Sequence, residues 1–295
     1  MRVAEVAPGA GQLVSGRSRT ARRVGTGLRI VVLACFVVGS LGPLIWLFMS
    51  SVKSTGEIIA SPWSLPRALD FANYAQAWTL GRIGHDLLNS VVVAVLSLAI
   101  MVGSGSLAAY AIDKYTRVKA RWPMLMFFLL GQMIPGQVVI IPVYIIVSKL
   151  HLLNSYIGLS LVYSASGLPF VIFIMQGFFQ SVPRELYDAA SVDGFSEFVT
   201  FRKVALPLAR PAVMATLIIQ FLFVWNEFIL ATVLDGSGNY VTLPVGLYDA
   251  VIGPFTTSYG TAFAGVCLAV IPIIIVYAVL QRWIIRGITI GALKG

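Results

Sequence analysis

Apolar residues run for twenty or more positions at a time along most of this chain. Ile30 to Val52, Leu87 to Ile112 and Trp122 to Ser148 carry no charge. Leu152 to Pro183 is a fourth such run, with a short turn around Asn154 to Gly158 at its start. Pro211 to Leu234 is a fifth, interrupted only by Glu227, and a sixth lies within Ala250 to Gln281, from about Thr261. A bilayer core of about 30 Å needs roughly 20 apolar helical residues. In lipid each backbone polar group must be satisfied within the protein, and barrel strands of about 10 residues are too short to explain these runs. The pattern predicts an all-α membrane protein with six transmembrane helices. The first run is too long for a signal-peptide core and lacks a small-residue cleavage site, so it counts as a span.

The basic residues divide unevenly among the loops. Arg2, Arg17, Arg19, Arg22, Arg23 and Arg29 precede the first run; Lys114, Arg117, Lys119 and Arg121 follow the second. Arg184, Arg202, Lys203 and Arg210 lie between the fourth and fifth, and Arg282, Arg286 and Lys294 follow the sixth. Only Lys53, Arg67, Arg82 and Lys149 fall on the opposite side. Positive loops stay in the cytoplasm, which places both termini there in a multi-pass protein of the cytoplasmic membrane. Residues 1–27, rich in Gly, Ser, Ala and Arg without apolar period, are expected to form a disordered basic tail ahead of a six-span transmembrane domain over 28–295.

Composition sharpens this picture. The chain is 58% hydrophobic and 11% charged, too few charges to cover a soluble globule, and its net charge is +9. Basic loops against anionic lipid account for that charge, so no nucleic-acid partner is implied. Cys35 and Cys267 lie far apart in apolar runs, and no cysteine or histidine cluster suggests a metal. The phosphate-binding pattern GxxxxGK[ST] is absent and no catalytic set is visible, so the chain is not expected to be an enzyme.

One segment breaks the apolar pattern. Arg184 to Pro211 holds four acidic and four basic residues, a central Gly194, and Pro207 and Pro211. Pro183 suits a first helical turn, with Glu185 and Asp188 near the positive end of the helix dipole. Helical spacing puts Leu186, Ala189, Ala190 and Asp193 on one face, kept low by two alanines. Gly194 stops this helix, Ser196 caps a second one carrying Phe198, Phe201 and Ala205 on a face, and the prolines end it. A helix–turn–helix over about 183–210 follows. From these residues alone it is an interfacial pair, a loop folded onto its own bundle, or a docking knob for a cytoplasmic partner.

The segment ELYDAASVDG, Glu185 to Gly194, with Leu206-Pro207 further on, resembles the EAA loop of ABC importer permeases. Asp188, Ala189 and Ala190 stand at the EAA triplet; Asp193 and Gly194 match its Asp-Gly. Asp188 replaces the usual Glu and Phe195 a smaller residue. Phe71-Ala-Asn-Tyr74, Asn89-Ser90, Ala108-Ala-Tyr-Ala111, Trp225-Asn-Glu-Phe228, Thr242-Leu-Pro-Val-Gly246 and Gly291-Ala-Leu-Lys-Gly295 are similar to the carbohydrate, maltose-permease-type branch of that family. The resemblance implies a type I importer permease fold and the six-span partner of a permease heterodimer. Two ATPase subunits would dock on the EAA loop and hold ATP and Mg, with no cofactor in this chain. An extracytoplasmic solute-binding protein would deliver the sugar.

Glu227 is the one carboxylate deep in a run, and such charges face protein or a wet path. With Asn226 it is expected at the interface with the second permease, as a strut or as a wall of the sugar path; both uses stay open. Gln132, Gln137, Gln176 and Gln220 are further path candidates, though hydrogen bonding between helices is the commoner fate of such side chains. Pro135 and Pro142 are expected to bend the third span and Pro272 the sixth. Asp235 to Gly260 is a connector or a contact for the binding protein. Two rival readings are an ion-coupled secondary transporter, which usually carries more intramembrane ionisable groups, and a permease of the same class for a non-sugar solute such as a glycerol-phosphate ester.

Overall fold

The computed structural model describes residues 19–79, 82–115, 118–235, 238–252 and 258–292, and among them every regular element is helical. Four helices are each long and apolar enough to cross a bilayer: Thr26–Ser51 within α1 (Arg19–Ser51), α4 (Ile83–Tyr115), α7 (Tyr156–Phe179) and Tyr259–Gln281 within α14 (Tyr259–Ala292). Two further apolar stretches are bent pairs, which brings the number of spans to six when each pair counts once. Helix α1 starts at Arg19, so residues 19–27 of the expected disordered tail are helical; residues 1–18 lie outside the described residues.

Helices α4 and α7 form the core of the bundle. Small residues line their seam, because lipid supplies no hydrophobic drive and close backbone approach must supply the attraction. Ser164 donates to the carbonyls of Ser97 at 3.1 Å and Ser160 at 2.7 Å. A Cβ at Gly105 would stand 2.6 Å from Val171 Cγ1, and one at Gly167 would stand 2.4 Å from Met101 Sδ. Met101, Val171, Ile172 and Met175 are fully buried there. By contrast, the apolar face of α1 is almost wholly uncovered, with Leu33, Phe36 and Val38 exposed.

The third span is broken. Lys119–Gln132 meets Gly136–Lys149 at 89°, with α5 (Val118–Gln132) and α6 (Ile140–Lys149) joined by a 3₁₀ turn over Gly136–Val139. Pro135 stands at the break, since it cannot continue the helix hydrogen-bond ladder. Pro142 falls in the first turn of α6, where a missing N–H is tolerated, and causes no break there. Pro272 lies within α14, which runs on as one element. The fifth run also divides: α11 (Arg210–Asn226) ends where Glu227 leaves helical geometry (ψ 125°), and α12 (Ile229–Asp235) starts two residues later.

At one end of α4 the loops close over the bundle through short polar side chains. Asn73, in α3 (Ala72–Thr79), donates to the carbonyls of Ser51 and Lys53, both at 3.0 Å. Asn89 donates to the carbonyls of Asn239 at 2.9 Å and Val241 at 2.8 Å and accepts from Tyr156 at 2.7 Å. Ser90 accepts from the amide of Leu243 at 2.8 Å. Asn89-Ser90 and Thr242-Leu243, separate motifs in the chain, are therefore two halves of one joint. Within Asp235 to Gly260 the chain forms α13 (Leu243–Ile252) rather than a bare connector; residues 253–257 are among those not described. Arg184 to Pro211 lies at the other end of α4, beside Asp113 and Lys114.

Candidate functional site

Helix α8 (Arg184–Val192) opens the polar segment. Pro183 stands just before it as the cap residue (φ −57°, ψ 132°) rather than inside its first turn. Gly194 has φ +77°, and the chain closes on it with hydrogen bonds from Gly194 N to Ser191 O (3.1 Å) and Phe195 N to Ala190 O (3.0 Å). This is the paired closure of a helix ending in a left-handed residue, which a side chain resists. A Cβ there would meet no atom within 4 Å, so the demand on residue 194 is conformational alone.

The second helix departs from expectation. Ser196 precedes α9 (Glu197–Thr200) but makes no side-chain capping bond. The chain then widens into a π-turn over Phe201–Ala205 and continues through α10 (Leu206–Leu208). Pro207 therefore sits within the helical path; the wider turn absorbs its missing N–H. The turn into the fifth span comes at Ala209, where Glu197–Leu208 meets Arg210–Asn226 at 77°.

The face drawn from helical spacing splits. Tyr187 and Ala190 are buried, whereas Glu185, Leu186, Asp188, Ala189 and Asp193 are exposed. Tyr187 takes the inward position, and its ring carries Ala190, three residues on, with it. In the second half Phe201 and Ala205 turn inward while Phe198 is 62% exposed. Buried Tyr110, near the end of α4, is the hub of this joint. Its ring centroid lies 5.8 Å from Phe179, 5.9 Å from Tyr187 and 5.3 Å from Phe201. Burial, with the Asp113 carboxylate adding to it, pushes the Tyr187 hydroxyl up to about 12. Outward from this hub the segment shows Val192, 87% exposed, together with Leu186, Phe195 and Phe198, among acidic residues. Tyr187 was hidden in the sequence because it stands just ahead of the Asp188-Ala189-Ala190 triplet that carries the motif.

A second feature lies at the break of the third span. A recess of about 590 Å³ is lined there by Gln132, Gln137, Ser166, Phe170, Gln220, Phe223 and Glu227, among others. Glu227 accepts from Tyr163 Oη at 2.7 Å, Leu230 N at 2.9 Å and Ala231 N at 3.0 Å. It therefore ties the start of α12 to α7 while lining the recess. Gln132 donates to Ser166 O and Gln220 to Gly167 O. Gln176 is buried elsewhere and Asn226, exposed, donates to Leu222 O at 2.8 Å within its own helix; neither lines the recess. Tyr163 carries no signal in the sequence beyond a hydroxyl in an apolar run. Among the described residues no three His, Cys, Asp or Glu side chains gather as a metal site would require.

Glu227→Ala strips the partner from a buried hydroxyl and two amides. Each orphaned donor costs about 1–3 kcal/mol, so a clear drop in melting temperature in detergent is expected, smaller for Glu227→Gln. An unchanged melting temperature and unchanged uptake in Glu227→Ala would remove the strut.

Residues 101–290 match the protein family described as "Binding-protein-dependent transport system inner membrane component". The diacetylchitobiose uptake system permease protein NgcG of Streptomyces coelicolor is 37% identical over 253 residues, 85% of this chain and 83% of that protein. The multiple sugar-binding transport system permease protein MsmG of Streptococcus mutans is 34% identical, over 85% and 91%. The sulfoquinovosyl glycerol transport system permease protein SmoH of Agrobacterium fabrum is 33% identical, over 92% and 95%. Among solved structures, a chain of a bacterial ABC transporter involved in import of the acidic polysaccharide alginate superposes with a TM-score of 0.79 at 24% identity, covering 92% of this chain and all of that one.

Proposed function

The chain belongs to the family of binding-protein-dependent transport system inner membrane components, and on that footing we propose that it is one of two permease subunits of an ATP-driven sugar importer. The relatives named for diacetylchitobiose, multiple sugars and sulfoquinovosyl glycerol support sugar as the cargo class. Its basic end, with both termini, faces the cytoplasm. The segment from Arg184 to Leu208 docks on an ATPase subunit, with Glu185, Asp188, Ala189, Asp193 and Gly194 at or beside the contact and Ala190 seating the segment from within. ATP and Mg reside on two such ATPase subunits, and this chain hydrolyses nothing. A solute-binding protein delivers sugar at the opposite end, and the recess at the broken third span faces the second permease as this subunit's share of the path.

The observation that carries the reading is the exposed apolar knob at the basic end: Val192, Leu186, Phe195 and Phe198 stand out of a polar, charged segment anchored by buried aromatic rings. Such side chains are left uncovered where a partner covers them. Proton-coupled transporters commonly use an intramembrane carboxylate free to change partners, and Glu227, tied by three donors, is a poor candidate for that.

Docking is tested by Val192→Cys in the complete transporter, with Cys35 replaced by serine. A short bifunctional thiol reagent should join the chain to an ATPase subunit carrying cysteines around its docking cleft. Failure to capture any ATPase while ATP-driven uptake runs at the wild-type rate would defeat the assignment.

A further inference from the structure

The aromatic hub seats the docking segment on α4, but apolar rings slide over one another with little directional preference. Direction comes from two successive residues at the end of α4. Asp113 is 1% exposed, and its Oδ1 accepts from Arg184 Nη2 at 2.9 Å and lies 3.1 Å from Arg121 Nη1. Arg121 also donates to the Asp113 carbonyl. One carboxylate oxygen thus holds the first residue of α8 and the beginning of α5 to α4. The next residue, Lys114, donates to Glu197 Oε2 at 2.6 Å, and the Tyr110 hydroxyl lies 3.4 Å from the same oxygen. Glu197 is the first residue of α9. Both arms of the docking turn, one on each side of Gly194, are therefore pinned to neighbouring positions of one helix.

Exposed ion pairs contribute little to stability, and Lys114–Glu197 is of that kind. Asp113 is different: the carboxylate is sealed from water and the Arg121 side chain is only 15% exposed. Guanidinium groups bind carboxylates in a fixed planar geometry, so they set orientation as well as attraction. The seam between α4 and α7 does not include this arrangement; it is held by its own serine bonds and close-packed glycines.

We propose that Asp113 is a positioning residue for energy coupling: it locks α8 to α4 so that a displacement of the docking turn moves α4, and with it α7, as one lever. This rests on the docking reading above. A conformational equilibrium is shifted only by contacts that differ between its states, and the lock is what carries a nucleotide-driven displacement at the knob into the spans.

The test places nitroxide spin labels at Ser191→Cys and Leu88→Cys, both exposed, the first on α8 outside the residues assigned to the docking contact and the second near the far end of α4. Cys35 and Cys267 are replaced, and the complete transporter is held either without nucleotide or with ADP–vanadate. With the lock intact, the interlabel distance by pulsed electron resonance should be the same and equally narrow in both states. Asp113→Asn, which keeps the volume but not the charge, should broaden it and shift it between states by roughly 2 Å or more, the scale of helix sliding. Arg184→Gln removes only the α8 tie, keeps the Arg121 pair, and should do the same; it serves if Asp113→Asn does not assemble. A wild-type distance that already moves between states, or variants whose distances stay narrow and fixed, would overturn the proposal. If the ATPase subunits do not co-purify even with the unsubstituted chain, the docking reading fails instead.

Discussion

Gly105→Leu is expected to prevent the transporter from assembling. A mere Cβ at position 105 falls 2.6 Å from Val171 Cγ1, and Val171 is fully buried on α7. Valine has one strongly preferred rotamer in a helix, so it cannot turn away. Three further carbons must force the two central helices apart. Overpacking a core costs about 1–3 kcal/mol when the surroundings can adjust, and here the seam also carries the serine bonds between Ser164, Ser160 and Ser97. Gly103→Leu is the matching control, because a Cβ at 103, on the exposed side of the same helix, meets nothing within 4 Å. The measurement is the yield of complete transporter by size-exclusion chromatography. Equal yields from the two variants would show that α4 and α7 do not depend on that close approach.

Tyr110→Ala is expected to uncouple the docking segment from the spans. The ring touches Phe179, Tyr187 and Phe201, and removing a buried aromatic side chain costs about 3–5 kcal/mol when the cavity cannot collapse. The four rings belong to four different elements, α4, α7, α8 and the π-turn, so the loss loosens the joint rather than one helix. ATP-driven uptake into vesicles should fall close to background, and less ATPase should co-purify. Tyr110→Phe keeps the packing and loses only a long contact to Glu197, so it should retain most of the uptake. Normal uptake by Tyr110→Ala would mean that the hub carries no load between knob and membrane.

Much of the architecture could be read before any coordinates. Charge-free runs of twenty residues and the lopsided Lys and Arg distribution point to six spans, and the family assignment and sugar-permease relatives agree with the motifs that suggested them. What stayed hidden was geometry inside those runs. A bend of the third span was legible in Pro135 and Pro142, but not that Pro135 alone ends a hydrogen-bond ladder and turns the chain through a right angle, since hydropathy averages erase that distinction. The end of α11 at Asn226 depends on a carboxylate two elements meet, which a one-dimensional pattern reads as a mere interruption. Between Arg184 and Leu208, Ala189 and Ala190 looked alike; the inward turn of Tyr187 separates them. The motif residues Asn89, Ser90 and Thr242 looked like isolated signposts, and only the fold brings them to one seam. The two arginines around Asp113 lie 63 positions apart, so no spacing rule joins them.

The broken third span has a consequence for the life of the chain in a cell. Helix α5 has 15 residues and α6 has 10, about 22 Å and 15 Å long, so neither alone matches a hydrocarbon thickness of about 30 Å. Set at a right angle they cannot be added end to end, and residues 131–138 at the bend are all exposed. The recess beside the bend is lined by Gln132, Gln137, Ser166 and Glu227, polar groups that acyl chains cannot solvate. With the proposed second permease as the shield for that elbow, subunit synthesised without it is expected to turn over faster in a pulse-chase than subunit synthesised together with it.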